Sequence, residues 1–288
     1  MMLPKLGFIG AGKVGNTLAR LWYQKGIEIS AIYSRNRLSA QNLADAVHAK
    51  VAMDLSDVML CADLIFLTVP DDAILDVAEL SATSIDRTGI AVVHTSGATG
   101  IEVFRSLSNL GVMTGCLHPI FPFANISMSI KRLPGATFAI ETDDEILRLW
   151  LVKLVQELDG EMIFIPPGKK AYYHAALAIA SNFTVTLAAI AEQMLLNLGA
   201  DRDAAKNALN ILIQATVDNI KEFGVLDALT GPLSREDTDT IRAHLASIDD
   251  TLLAEVYRGL ARLTFPILQQ RGIDTVPIEK ILKDTEIV

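Results

Sequence analysis

The feature that most constrains the fold lies at the start of the chain. In KLGFIGAGKVGNTLARLW, residues 5–22, Gly10, Gly12 and Gly15 stand where a short apolar run passes into an amphipathic one. The spacing GxGxxG at a strand-to-helix turn suits a dinucleotide pyrophosphate: Gly10 for the tight turn, Gly12 for close backbone approach, Gly15 for packing of helix on strand. Ala11, Lys13 and Val14 complete the loop, and the helix N-terminus offers free N–H groups and the positive end of its dipole to phosphate.

The next strand-like run, 27–33, ends in Ser34, Arg35, Asn36 and Arg37. An NAD site places a carboxylate on the ribose hydroxyls here, about twenty residues beyond the glycines. This chain has none. A hydroxyl with guanidinium groups, Ser34 and Arg35 foremost, suits a 2′-phosphate, because arginine presents a rigid fork of donors to phosphate oxygens. The expected cofactor is therefore NADP(H). Solvated loop charges are the plainer alternative.

With 288 residues, 51% of them hydrophobic, the chain is long enough for two domains. A net charge of −9 argues against nucleic acid or an anionic membrane as partner. Cys61 and Cys116 form no disulfide framework and no metal-ligand pattern, which fits a reducing cytoplasm. No cleavable signal is expected at the N-terminus. Residues 171–191 hold no Asp, Glu, Lys or Arg, and about twenty such residues span a bilayer. Because His174, Ser181, Asn182, Thr184 and Thr186 interrupt the run, it is read as the central helix of a large or intertwined core.

Strand-like runs at 6–9, 27–33, 64–69, 90–94, 112–116 and 136–140 alternate with helical ones, the pattern of a doubly wound parallel α/β sheet. A last strand at 162–165 meets Pro166-Pro167-Gly168, which places the domain boundary there: residues 1–165 form a Rossmann domain and 166–288 an all-helical domain. Helices are expected over 169–198, 202–223, 235–246, 249–270 and 277–286. Gly199 and Asp201 read as a C-cap and the next N-cap, and Ser234 as the start of a further helix.

Residues that end parallel strands face the ligand crevice. Val69 and Pro70 are placed to flank the ribose and nicotinamide side, and Thr95 and Ser96 offer donors in a small-residue loop. His94 either ties a loop carbonyl or touches ligand. His118, held by Pro119, is a candidate for orienting substrate. On the long helix Lys170, His174 and Ser181 fall within an arc of about 40°, with Asn182 at its edge. Lys170 is placed to donate a proton to a carbonyl oxygen as hydride arrives. Arg235, after the Gly231-Pro232 corner, reads either as a carboxylate partner or as part of a plain turn. Thr216 and Asn219 are weaker candidates. No cluster has metal-ligand spacing.

GFIGAGKVG, YSRN, TVPDDAI, HTSGA, LHPIFPF, LPGATFAIE, KKAYYHAALAIASNF and LTGPLSRED together resemble Rossmann-like proteins with a C-terminal domain of unknown function, the DUF2520 type, near the pyrroline-5-carboxylate and ketopantoate reductases. The resemblance runs over nearly the whole chain. It implies NADP-dependent reduction of a small carboxylate substrate, ketopantoate above all in pantothenate synthesis, and a helical dimerisation domain. Lys170 matches the general acid of the wider superfamily, but His174 stands where that superfamily carries asparagine. The corner reads SRED where glycine more often follows the arginine. HTSG with LHP also resembles prephenate dehydrogenases. Reduction of a cyclic imine, hydride exchange with a deazaflavin and a non-enzymatic NADP sensor stay open as alternatives.

Overall fold

The structure, a computed structural model, describes residues 3–85 and 87–284. The chain runs β1 (Leu6–Ile9), α1 (Lys13–Gln24), β2 (Ile29–Tyr33), α2 (Arg37–Val47), β3 (Lys50–Val51), α3 (Leu55–Cys61), β4 (Leu64–Leu67) and α4 (Ile74–Ala82). It continues through β5 (Ala91–His94), α5 (Arg105–Ser108), β6 (Met113–Pro119), α6 (Ile126–Arg132), β7 (Thr137–Thr142), α7 (Glu145–Gln156), β8 (Glu161–Phe164) and α8 (Lys170–Ala180). The eight strands form one sheet in the order β3-β2-β1-β4-β5-β6-β7-β8. The reversal of order beside β1 is the switch point at which such sheets open a crevice.

The central strands are apolar on both faces because helices cover both. On one face Phe8, Trp22 and Phe66 stack, with ring centroids 5.3 Å (Phe8–Phe66) and 4.9 Å (Trp22–Phe66) apart, and the Trp22 indole donates to the Leu154 carbonyl at 2.9 Å. On the other, Val58, Ile65, Val92 and Phe104 form a second buried cluster.

The sheet departs from the all-parallel expectation at β7, which pairs antiparallel with β6. The reason lies in β6 itself. It runs three residues beyond the predicted end, to Pro119, and the chain re-enters the sheet from the edge where β6 leaves it, which makes the neighbours antiparallel. His118 therefore sits in a strand, opposite Ala139, rather than in a loop. The unpredicted β3 has two residues, too few to show a period.

The chain divides into two compact units, Met1–Thr184 and Val185–Val288. The Pro166-Pro167-Gly168 turn thus lies inside the first unit, because the helix after it, α8, buries Lys170 there. The long predicted helix is broken at Ser181 (φ −114°, ψ −66°), where the Thr184 hydroxyl takes the Ala180 carbonyl at 3.0 Å in competition with the backbone. The second piece is α9 (Asn182–Asn197). Together they are long and apolar enough to cross a bilayer by length and composition. They are not a buried core helix in this chain: Tyr172 is 81% exposed and Val185 70%.

The second unit continues through α10 (Arg202–Ala228), α11 (Thr238–Ala246), α12 (Thr251–Gln270) and α13 (Val276–Lys283) around Ile241, Leu245, Leu268 and Ile278. Asp201 caps α10 as predicted. α10 is kinked at Gly224 (φ 77°, ψ 169°), immediately after the predicted end at 223, and a further short helical piece carries it on to Ala228. α11 is capped by Asp237, not Ser234, because Glu236 takes a left-handed conformation and ends a short 3-10 turn, Leu233–Arg235. Residues 285 and 286, expected in the last helix, lie outside the described residues.

Candidate active site

The glycine loop joins β1 to α1 at the switch point. Gly10 has φ 107°, and a Cβ there would lie 2.5 Å from the Thr68 carbonyl oxygen. A Cβ on Gly15 would lie 2.6 Å from the Gly10 carbonyl oxygen. Gly12 differs, since its missing Cβ would meet nothing nearer than 4.0 Å. Two glycines are thus required by packing, and the third leaves space open above the loop. The Thr68 hydroxyl, at the end of β4, donates to the Gly10 carbonyl at 2.7 Å and fixes the turn.

Side chains of Asn36, Asp54, Asn125 and Asp144 cap α2, α3, α6 and α7. α1 has Gly12 as its N-cap residue and so no side-chain cap, which leaves its first N–H groups for a ligand. Ala11 is buried, Val14 half-buried, and Lys13 exposed on the first turn. This loop fits a dinucleotide pyrophosphate. Gly10 N–H bonds the Tyr33 carbonyl at 2.8 Å, so the residues that follow β2 lie beside the loop. Ser34 there is half-buried and Arg35 exposed, and among the described residues Arg35 has no ion-pair partner. Asn36 is spent as the α2 cap, and Arg37 reaches the Met53 sulfur at 3.2 Å.

Val69 is half-buried and Pro70 exposed, leading into a 3-10 turn at Asp71–Ala73. Thr95 is half-buried, but Ser96 is buried and occupied. The Ser96 N–H donates to His94 Nδ1 (3.2 Å), its hydroxyl accepts from the Ala98 and Thr99 N–H groups (3.1 and 3.0 Å), and its carbonyl takes the Cys116 thiol (3.3 Å). Ser96 shapes the loop and has no donor left for a ligand. His94 is wholly buried, and burial, with the Lys170 charge, drives its pKa down to about 3. It serves as a neutral tie for this loop.

At the end of β6 and on the helices that follow Gly168, the structure brings four predicted residues together. His118, His174, Ser181 and Asn182 line a cavity of about 250 Å³ with Phe121 and Leu177. Gly97 forms its close point: a Cβ there would lie 2.9 Å from His118 Nε2 and 3.0 Å from His174 Cδ2. His118 Nδ1 lies 2.6 Å from the Tyr173 hydroxyl, and the two rings pack edge to face. Burial first, then Lys170 and His174, lowers the His118 pKa to about 4. Burial raises that of Tyr173.

Lys170 shares their helix but points inward. Its amine donates to Cys116 Sγ at 2.8 Å, lies 3.8 Å from Glu141 Oε2 and faces the Tyr173 ring at 5.6 Å, and the residue is 4% exposed. Burial raises Cys116 to about 11, against the pull of the Lys170 charge, and burial also raises Glu141. The predicted polar stripe is therefore split, with Lys170 behind the cavity wall and His174 within it. Arg235 is carried by the second unit, exposed on its 3-10 turn. Thr216 and Asn219 line a separate cavity of about 260 Å³ in that unit.

Tyr173, Cys116 and Glu141 were not anticipated in the site, and Thr68 and Gly97 only as members of the loops after their strands. Two of them left a signal. Cys116 precedes His118 by two on one strand and so shares its face, and Tyr173 follows Lys170 by three on one helix.

Residues 3–119 match the model of the Rossmann-like domain, and residues 136–264 that of a domain of unknown function, DUF2520. Protein TM1727 from Thermotoga maritima is 27% identical, with a TM-score of 0.73 over 93% of this chain and 99% of its own. BF3122 from Bacteroides fragilis, whose name proposes an NADP oxidoreductase, is 26% identical, with a TM-score of 0.67 over 90% and 97%. A pyrroline-5-carboxylate reductase from Coxiella burnetii shares the fold at 14% identity, with a TM-score of 0.61 over 99% and 100%. No curated protein matches the sequence. The chain thus carries a Rossmann-like domain followed by a DUF2520 domain, and its fold is that of the NAD(P)-dependent oxidoreductases.

Proposed function

We propose that this protein is an NADP(H)-dependent reductase of a small carbonyl compound bearing a carboxylate, with ketopantoate the first substrate to test. The observation that carries this reading is the pairing, within the first unit, of an open glycine loop with a cavity holding two histidines. The N–H groups of Lys13, Val14 and Gly15 hold the pyrophosphate, and Ser34 and Arg35 the 2′-phosphate. Val69, Pro70 and Thr95 border the cofactor's ribose and nicotinamide. When bound, the cofactor supplies hydride.

His118 and His174 orient the substrate oxygen, while Ser181 and Asn182 meet its polar end. Lys170 holds a positive charge behind the cavity wall and stabilises the forming alkoxide through that charge rather than by direct contact. Arg235 is proposed as a carboxylate ligand from its chemistry alone. The exposed apolar side chains of α8 and α9 are covered by a second copy of the chain, giving a cytoplasmic homodimer rather than a membrane protein. Mixing protein, NADPH and ketopantoate and following cofactor absorbance tests the reading. Turnover supports it. Folded protein that fails to bind NADPH overturns it.

A further inference from the structure

The cavity wall holds a hydrogen bond that fixes more than a ring position. A phenol has one hydrogen to give. Among the described residues the hydroxyl of Tyr173 has one hydrogen-bond partner, His118 Nδ1, at 2.6 Å. Of the two groups the phenol is the stronger acid and the neutral imidazole nitrogen the stronger base, and a contact as short as 2.6 Å favours the arrangement in which the phenol gives its hydrogen to that nitrogen. The phenol therefore donates, Nδ1 accepts, and the neutral ring carries its proton on Nε2.

That Nε2 has no hydrogen-bond partner among the described residues and stands beside the bare Cα of Gly97, where any side chain would collide with it. The ring stays neutral. Burial disfavours the imidazolium, and the Lys170 charge behind it and the neighbouring His174 ring disfavour it further. Tyr173 stays a phenol for the same reason of burial.

We propose that Tyr173 is a positioning residue that locks His118 as an Nε2–H donor, so that the cavity accepts a carbonyl oxygen and rejects an iminium nitrogen. A carbonyl oxygen offers lone pairs to Nε2–H. A protonated imine offers a hydrogen where an acceptor is needed, and two donors then face each other without a bond. A site that hydrogen-bonds one partner discriminates strongly against an analogue unable to complete the bond. The inference rests on the reductase reading for its meaning, but the geometry behind it does not need the cofactor.

The test uses the full chain with ¹⁵N-labelled histidine. At neutral pH, His118 shows a protonated Nε2 and an unprotonated Nδ1, and Tyr173→Phe gives a mixture of tautomers. Pyruvate and proline, a carbonyl acceptor and a cyclic ammonium donor that both carry carboxylates, are then titrated against the His118 resonances. The wild type prefers pyruvate by roughly tenfold or more, about the 1.4 kcal/mol that one such bond supplies, and Tyr173→Phe loses the preference. A wild-type His118 protonated on Nδ1, equal affinity for the two probes, or no binding of either overturns the proposal. NADPH binding is measured in parallel. If it fails while the tautomer and the preference hold, the reductase reading falls and this inference stands.

Discussion

The ammonium group of Lys170 lies 2.8 Å from the sulfur of Cys116 and 3.8 Å from a Glu141 carboxylate oxygen, with both charged side chains at most 5% exposed. Three groups are thus withdrawn from water on adjacent elements, Cys116 and Glu141 being paired across β6 and β7. Charge buried this deeply is held by its partners or not at all.

Removing one partner should therefore cost far more than removing a surface pair. Glu141→Ala is expected to lower the unfolding free energy by about 3–5 kcal/mol, because the Lys170 charge is left with only a neutral thiol. Urea denaturation measures it. By contrast, breaking the exposed Lys5–Glu28 pair, with side chains 54% and 58% exposed, should change stability by no more than about 1 kcal/mol. Similar losses at the two sites would refute the buried pairing.

Stability should fall in mild acid, and the sign follows from two histidines. In the unfolded chain they titrate near about 6.5, whereas burial holds His94 at about 3 and His118 at about 4 in the native state. The native state therefore binds fewer protons, and unfolding free energy rises with pH. The contribution is whole above pH about 6.5 and is lost as pH drops toward these native values. Glu141, raised by burial, acts with the opposite sign, favouring the native state as it protonates. Between pH about 7.5 and 5, His94 alone should account for on the order of 2 kcal/mol. His94→Gln should flatten the pH dependence. A denaturation midpoint indifferent to pH in the wild type would count against the buried neutral rings.

The glycine loop and most of the strands were legible in the sequence because both rest on local pattern: Gly10, Gly12 and Gly15 at fixed offsets, and apolar runs that repeat. Half of the site was legible for the same reason, since His118 closely follows an apolar run and His174 and Ser181 share one helical stripe. The inward turn of Lys170 was not. It depends on Glu141 lying opposite Cys116, and that register exists only because β7 runs antiparallel to β6. Periodicity along one helix placed Lys170 and His174 on one stripe. It was blind to the sulfur and carboxylate that draw the lysine inward.

Fold and ligand binding should separate within the glycine loop. Gly12 has φ −74° and open space where a Cβ would go, so Gly12→Ala should change stability by less than about 1 kcal/mol. It should still weaken NADPH binding at least tenfold, because the added methyl occupies the approach of the pyrophosphate. Gly10→Ala, at φ 107°, should cost about 1–3 kcal/mol of stability through backbone strain. Arg35→Ala should weaken NADPH roughly 10- to 100-fold, the worth of a charge-assisted bond, and leave NADH unchanged. Fluorescence titration with both cofactors decides. An Arg35→Ala variant that loses both equally would remove the 2′-phosphate assignment.

The last prediction concerns the apolar faces of α8 and α9. Ile179 is 63% exposed and Phe183 56%, on either side of the Ser181 break. Exposed apolar surface of this kind is stabilised only when covered. If a second copy covers it, the wild type sediments as a dimer at micromolar concentration. The double variant Ile179→Glu/Phe183→Glu sediments as a monomer with its helical circular dichroism retained, because a carboxylate at such an interface is left desolvated without a partner. Flotation with phospholipid vesicles supplies the opposing outcome. A wild type that floats with vesicles, or that sediments as a monomer, would show that the face is not an interface between copies.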